Sequence, residues 1–244
     1  GKPLAVCGEL AGDHMATRLL LGMGLAQFSM HPASLLLVKR EILLARRVSH
    51  PNVCRIFDLG VHEVRSSETG AHQALLYLTM EWLEGETLAR RIEEAGTFDE
   101  GPAIAVVRQL CSGLAAAHDA GVVHRDFKSS NILLVPSPDG ERAVITDFGL
   151  ARSSHQSSDG ITITQAGGLL GTPAYMAPEQ VAGMPANAGS DLYALGVVLY
   201  EMLTGELPFF GESPLEVAVK RLREPPTPIE TYRAGLSARF RETI

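Results

Sequence analysis

Residues 121–149 read GVVHRDFKSSNILLVPSPDGERAVITDFG. Two short apolar runs, Ile132–Val135 and Ala143–Thr146, flank a segment that is rich in Pro, Asp and Gly. Apolar runs of this length on either side of turn residues predict a β-hairpin. A hairpin returns its two ends to nearly the same place, so the residues just before and just after it are expected to lie together.

Polar side chains cluster at both ends of the predicted hairpin. The residues before the hairpin are His124, Arg125, Asp126, Lys128 and Asn131, and the residue after it is Asp147. Asp126, Asn131 and Asp147 are therefore expected to converge on one site. Phosphoryl transfer needs a base for an incoming hydroxyl and oxygen ligands for magnesium, and this set provides both.

Three motifs in this part of the chain resemble those of protein kinases. HRDFKSSN at 124–131 is similar to the kinase catalytic loop, DFG at 147–149 to the magnesium-binding motif, and APE at 177–179 to the end of the activation segment. The segments REILLARRVSHPNV and GTPAYMAPEQ are most similar in sequence to the corresponding segments of bacterial Ser/Thr kinases. The resemblance covers about residues 39–244. It implies an α+β, two-lobed protein-kinase-like fold, with a small β-rich N-lobe, incomplete here, and a large, mainly helical C-lobe.

The resemblance also implies a role for each polar residue. Asp126 would accept or orient the proton of a substrate Ser or Thr hydroxyl that attacks the γ-phosphorus of ATP. Lys128 would neutralise charge on the transferring group, and Asn131 and Asp147 would hold Mg²⁺. The expected cofactors are ATP and Mg²⁺, and the expected partners are proteins with Ser or Thr acceptors.

The helix predicted at Lys39–Val48 resembles the αC helix of kinases, and the Ser-His-Pro-Asn segment that follows ends it. In this role Glu41 would bind a lysine on a neighbouring strand. The alternative for Glu41 is a solvated charge on a helix surface. Strands are expected at Val53–Val61 and Ala74–Met80, with a polar insertion between them.

The segment MEWLEGE at 80–86 resembles the hinge between the two kinase lobes. Met80 would be the gatekeeper, and backbone groups of Glu81 and Leu83 would contact the adenine edge of ATP. Packing of Met80 and Trp82 in the core is an alternative that is compatible with the hinge.

The activation segment, Asp147–Glu179, is rich in Ser, Thr and Gly, which is typical of a loop that needs ordering. Arg125 could order it by pairing with a phosphate, and Thr164 and then Thr162 are the candidate acceptors. An unmodified polar loop remains the alternative. By resemblance, Thr172 would bond the catalytic aspartate and lysine.

Three further helices are expected in the large lobe. Asp99–Gly121 has capping residues at both ends, and its inward stripe is predicted to be Ile104, Val107, Cys111, Leu114 and His118. Asp191–Leu203 is apolar nearly all round and should be buried, with Asp191 accepting from backbone N–H groups of the catalytic loop. Pro214–Glu224 is amphipathic. Glu179 is expected to have a structural role, with its arginine partner beyond the end of the chain.

Residues 1–38 do not match the start of a kinase domain. GMGLAQ at 22–27 supplies two glycines of a G-x-G-x-x-G pattern, but glutamine holds the third place. The chain has four lysines (Lys2, Lys39, Lys128 and Lys220), and none stands at the usual spacing before Glu41. Arg18 is well placed but is a poor substitute for a compact ammonium group. The expected division is 1–38 as a degenerate or missing start of the N-lobe, 39–80 as its remainder, 81–86 as the hinge and 87–244 as the C-lobe.

Composition narrows the other classes of function. A net charge of −7 and a pI near 5.6 argue against nucleic acid as the main partner. No apolar run is long enough to be a membrane segment, and no signal peptide is evident. Three scattered cysteines predict neither a metal site nor a disulfide framework, so a cytoplasmic setting is expected.

Two other functions stay open on the sequence. A pseudokinase or binding module would explain the missing lysine, although Asp126, Asn131 and Asp147 are intact. A small-molecule phosphotransferase of kinase-like fold is disfavoured by the GTPAYMAPE segment, which resembles a shelf for peptide substrates. Autophosphorylation would require the kinase to associate with itself.

Overall fold

The computed structural model describes residues 6–7, 28–29, 44–65, 72–138, 140–148, 173–237 and 240. These residues fall into two compact units. The first takes in those within Gly1–Val48 and Arg55–Glu81, and the second those within Ser49–Cys54, Trp82–Gly149 and Ser157–Ile244.

The first unit is built on an antiparallel strand pair, β3 (Ile56–Arg65) and β4 (His72–Met80). Two shorter strands, β1 (Val6–Cys7) and β2 (Phe28–Ser29), pair in parallel. The sequence predicts both long strands, but β3 begins at Ile56 and not at Val53, and the polar insertion predicted at 62–73 is shorter, because strand pairing continues through 62–65 and 72–73. Backbone pairing does not require apolar side chains, so polarity alone misplaced the strand ends.

Helical structure is described at Leu44 and Ala45, at the end of the helix predicted for 39–48. Backbone bonds from Arg47 to Leu44 and from Val48 to Ala45 close its last turn. Ala45 and Val48 are buried, as their spacing predicts for one helix face. Glu41 lies outside the described residues.

The second unit contains the predicted hairpin. Strands β6 (Ile132–Ser137) and β7 (Gly140–Ile145) pair antiparallel, from Ile132 opposite Ile145 to Ser137 opposite Gly140. The short strand β5 (Glu86–Thr87) adds a third strand beside β6. The hairpin prediction is confirmed, with each strand extended toward the turn.

Five helices are described in the second unit: α1 (Leu88–Ala95), α2 (Glu100–Asp119), α3 (Pro178–Val181), α4 (Ala188–Thr204) and α5 (Pro214–Arg223). The three helices predicted here correspond to α2, α4 and α5. Helix α4 forms much of the core, with Val198, Met202 and Leu203 fully buried. Its Asn187 side chain caps the first turn, and Gly205 ends it with φ of 75°.

The buried face of α2 differs from the predicted one by one position. The buried residues are Ala103, Val106, Leu110, Gly113, Leu114 and Ala117, whereas Cys111 is exposed. Isoleucine, valine and alanine occupy both adjacent rows of this helix, so apolarity does not fix its rotation. Gly113 decides it, because a Cβ there would lie 2.9 Å from the Asn52 carbonyl oxygen.

The first unit ends between Glu81 and Trp82, one residue inside the predicted hinge at 81–86. The Glu81 N–H donates to the Arg55 carbonyl at 2.8 Å. Met80 is 41% exposed and Trp82 is 85% exposed, so the alternative of core packing for these two side chains is wrong.

Candidate active site

The catalytic-loop residues lie in a tight turn that leads directly into β6. Ser129–Asn131 form one 3₁₀ turn, and Asn131 N–H donates to the Lys128 carbonyl at 3.0 Å. Lys128 Nζ lies 2.8 Å from Asp126 Oδ2, and both side chains are largely buried. The turn thus places an ammonium group against the carboxylate that the sequence predicts as the base.

Asn131 is held against the same aspartate. Its Nδ2 donates to the Asp126 backbone carbonyl at 2.9 Å and lies 3.5 Å from Asp126 Oδ2. Asn131 is only 3% exposed. Because the amide nitrogen faces Asp126, the Oδ1 atom faces the opposite side of the amide group.

Asp147 lies two residues after the end of β7, and the backbone next to it is bonded to the catalytic turn. Thr146, which precedes it, donates to the Asn131 carbonyl from its backbone N–H at 2.9 Å and from Oγ1 at 3.1 Å. Asp147 itself has φ of 56°, a left-handed conformation that is uncommon outside glycine. The hairpin therefore joins the backbone on either side of the site, as its sequence predicts.

Asp191 anchors the start of the catalytic loop to helix α4. Its carboxylate, 1% exposed, accepts from His124 N–H at 2.8 Å and from Arg125 N–H at 2.9 Å. His118 Nε2 lies 2.7 Å from the same carboxylate. The backbone donors that were expected for this buried charge are present. They also hold Arg125 at φ of 67°.

His124 is fully buried between two aromatic rings. Its ring centroid lies 5.4 Å from that of Phe127 and 4.8 Å from that of Phe148. Nε2–H donates to the Thr146 carbonyl at 2.9 Å, and Nδ1 accepts from Asp126 N–H at 3.3 Å. Burial lowers the pKa of His124, so the ring is neutral and links the two sides of the site.

The segment after the activation loop is tied to the catalytic loop through Gln180. Its Oε1 accepts from Ala177 N–H at 3.0 Å, and its Nε2 donates to the Arg125 carbonyl at 2.9 Å. Glu179 accepts a hydrogen bond from the Ser190 hydroxyl, so within the described residues its carboxylate bonds to α4.

Sequence patterns missed several of these contacts. The quoted motifs contain Ser129, Tyr175 and Gln180, and the predicted helix at 191–203 contains Glu201, but no motif indicates which side chains these residues bond. Long-range pairing of side chains leaves no local period. Of the predicted site residues, the structure brings together Asp126, Lys128 and Asn131 and connects Asp147 to them through Thr146. Glu41, Thr162, Thr164 and Thr172 lie outside the described residues.

The fold and this site agree with comparisons to known proteins. The model of the protein kinase domain matches residues 30–236, which is most of the chain. The chain belongs to the protein kinase family and has its two-lobed α+β fold.

Bacterial Ser/Thr kinases are among the relatives. The chain is 39% identical over 193 residues to the serine/threonine-protein kinase pkn3 of Myxococcus xanthus, covering 78% of this chain and 33% of that protein. It is 37% identical over 237 residues to the serine/threonine-protein kinase PknB of Mycobacterium tuberculosis, covering 95% and 36%. The chain therefore spans about a third of the length of these relatives.

A second family model overlaps the first. The PEP-binding domain of PEP-utilising enzymes matches residues 1–47. The overlap with the kinase match is at residues 30–47. The PEP-binding match also includes residues 1–38, in which neither a glycine loop nor a strand lysine could be identified.

Kinase family membership implies the use of ATP with a divalent cation. Within the described part of the chain, no helix is both long and apolar enough to span a membrane.

Proposed function

We propose that the chain is a Ser/Thr protein kinase domain that transfers the γ-phosphate of ATP to protein hydroxyls. The observation that carries this proposal is the contact of Asp126 with both Lys128 and Asn131. Relatives with the name of Ser/Thr protein kinase support the acceptor class.

Asp126 is the residue that would orient the acceptor hydroxyl and receive its proton. A carboxylate serves this purpose only if it is held in one orientation, and Lys128 and the Asn131 amide both restrain it. Lys128 has a second task, because its ammonium group can neutralise charge on the transferring phosphoryl group.

Asn131 and Asp147 fit a magnesium ion. They offer an amide oxygen and a carboxylate, the hard oxygen ligands that magnesium prefers, and phosphate oxygens complete such sites. In the described residues, no group of three or more His, Cys, Asp or Glu side chains could hold a metal ion. Bound magnesium would neutralise charge on the phosphate oxygens.

Regulation is proposed for the activation segment. Autophosphorylation at Thr164, or at Thr162, would give Arg125 a phosphate to pair with, and transfer between two copies requires self-association. Thr172 would bond the catalytic aspartate and lysine. Glu41 would contribute to nucleotide binding from the helix at 39–48.

The remaining parts of the proposal concern the nucleotide and the setting. Met80 and the backbone of Glu81 and Leu83 would border the adenine, within a hinge at 81–86 that separates the N-lobe remainder (39–80) from the C-lobe (87–244). A cytoplasmic setting suits the use of ATP and the scattered cysteines of the sequence, which predict no disulfide framework.

The test is transfer of labelled phosphate from γ-labelled ATP to casein, with and without Mg²⁺, followed by acid hydrolysis of the product. We expect magnesium-dependent labelling of phosphoserine and phosphothreonine. Binding of ATP without labelling would show an inert nucleotide-binding protein. Labelling of a small molecule in place of casein would show a different phosphotransferase, and labelling of tyrosine would overturn the acceptor class.

A further inference from the structure

Ser129 stands between two catalytic groups, Lys128 and Asn131, and is 2% exposed. Its Oγ lies 3.0 Å from the Tyr175 hydroxyl and donates to Glu201 Oε1 at 3.2 Å. The Tyr175 hydroxyl donates to Glu201 Oε2 at 2.7 Å. Three side chains from separate parts of the chain thus meet at the Glu201 carboxylate, and we call this group the Ser129 network.

The protons of the Ser129 network can be assigned. Each hydroxyl has one proton, and a carboxylate only accepts, so Glu201 is the shared acceptor of both hydroxyls. Burial raises the pKa of Tyr175, which keeps its hydroxyl a donor. Burial also raises the pKa of Glu201, while the bonds from Tyr175 and Ser129 lower it. Removing either hydroxyl would leave a half-buried carboxylate with fewer donors.

The Ser129 network joins three elements that serve different purposes. Ser129 belongs to the catalytic turn, Tyr175 to the 3₁₀ turn Pro173–Tyr175, and Glu201 to the core helix α4. The Pro173–Tyr175 turn is part of the segment proposed to support the protein substrate. Helix α4 is the rigid element against which both turns are fixed.

We propose that Ser129 is a positioning residue, which fixes the catalytic turn relative to the Pro173–Tyr175 turn through Glu201. This inference rests on the proposed kinase function. Its consequence is that the acceptor hydroxyl and Asp126 keep their alignment, so loss of Ser129 should affect the protein substrate more than ATP.

Other contacts keep the substrate segment in place when Ser129 is changed. Arg221 of α5 donates to the Ala174 carbonyl at 2.6 Å, and Gln180 bonds both Ala177 N–H and the Arg125 carbonyl. A Ser129→Ala variant should therefore fold and bind ATP. What it loses is the alignment of the two turns, and that loss is measurable in kinetics.

The kinetic test compares Ser129→Ala, Tyr175→Phe and the double variant, with casein as acceptor. We expect kcat/KM for casein to fall about tenfold in each single variant, with the KM for ATP changed by less than about twofold. The kcat/KM of the double variant for casein should be about equal to that of the more impaired single variant, because both substitutions break the same network. Losses that multiply in the double variant, or equal losses for ATP and casein, would overturn the proposal.

Thr204→Ala is the matched control. Thr204 also lies on α4 and its hydroxyl bonds the Tyr200 carbonyl at 2.7 Å, but it does not belong to the Ser129 network. Its kcat/KM for casein should stay within about twofold of the original chain.

A second readout separates this proposal from the proposed function. If the unmodified chain labels no acceptor, the kinase proposal fails, and backbone hydrogen exchange still tests the Ser129 network. Ser129→Ala should speed exchange both at 126–131 and at 174–177, whereas Thr204→Ala should speed neither. Faster exchange at 126–131 alone, or at neither segment, would show that Ser129 does not couple the two turns.

Discussion

Asp191 places a negative charge where water does not reach it. Two backbone N–H groups and the His118 ring surround its carboxylate. A buried charge is tolerated only when such donors compensate for the lost hydration. The same donors belong to the catalytic loop, so stability and the geometry of the site depend on one side chain.

Replacing Asp191 with Asn should therefore destabilise the protein. The amide would direct N–H groups at N–H donors, and we expect the free energy of unfolding to fall by about 3 kcal/mol. Urea denaturation measures the change. Asp58→Asn is the control, because Asp58 is 65% exposed in its ion pair with Arg46 and should cost less than about 1 kcal/mol. Equal losses in the two variants would contradict this account of Asp191.

The buried ring of His124 predicts a dependence on pH. Its folded-state pKa is lowered by burial, while an unfolded histidine titrates near about 6.5. Below about pH 6.5 the unfolded chain binds a proton at His124 that the folded chain does not bind. This contribution to stability is therefore present above about pH 6.5 and is lost as the pH falls below it.

NMR titration of the imidazole ring gives the direct test of His124. We expect a neutral ring with the proton on Nε2 at about pH 6, where a free histidine is mostly charged. A ring that titrates near the ordinary value would show that burial does not control this group. The free energy of unfolding is a less direct measure, because two groups change it in opposite directions. As the pH falls, the raised pKa of Glu201 increases the stability of the folded state, whereas the lowered pKa of His124 decreases it.

At this scale the sequence predicted the polar residues of the site but only some of their contacts. Asp126, Lys128 and Asn131 are close in the chain, so a motif specifies their turn. The bonds of Gln180 to Arg125 and of Ser129 to Glu201 join residues that are 55 and 72 positions apart. Contacts of that kind follow from tertiary packing and have no local signature.

At the scale of elements, two glycines in the middle of helices have opposite surroundings. A Cβ at Gly113 in α2 would lie 2.9 Å from both the Asn52 carbonyl oxygen and Ile145 Cδ1, whereas a Cβ at Gly196 in α4 would meet nothing within 4 Å. The first glycine permits close packing, and the second only weakens its helix.

The two alanine substitutions should consequently differ in sign. Gly113→Ala should lower the free energy of unfolding by about 1–3 kcal/mol through overpacking. Gly196→Ala should raise it by about 0.5–1 kcal/mol through helix propensity. Denaturant titrations of both variants check this, and a stabilising Gly113→Ala would show that the packing around Asn52 is loose.

Element types were predictable wherever local chemistry is strong. The turn residues of 136–140 specify the hairpin, and the apolar run at 191–203 specifies helix α4, although α4 begins at Ala188, three residues before the predicted start. The rotation of α2 was not predictable, because its apolar residues occupy more than one face. Only the approach of the Asn52 backbone selects the face that contains Gly113.

At the scale of the whole molecule, the kinase family match and the PEP-binding match meet at residues 30–47. The sequence predicted a break in kinase character before residue 39, since the chain has neither a clear glycine loop nor a suitably spaced lysine. The residues proposed to bind the acceptor and magnesium, in contrast, all belong to the second unit. The residues proposed to bind the acceptor and magnesium are therefore identified in this chain, whereas a glycine loop and a strand lysine are not.

The most direct test of the central claim is a single-turnover measurement of phosphate transfer from Mg-ATP to casein by this chain and by Asp126→Asn. Both proteins should fold and bind Mg-ATP, because the substitution keeps the size of the side chain, although Asp126→Asn should melt at a lower temperature through loss of the ion pair with Lys128. We expect the original chain to transfer phosphate and Asp126→Asn to be slower by a factor of about 10² or more. Equal rates in the two proteins, or no transfer by the original chain despite Mg-ATP binding, would contradict it.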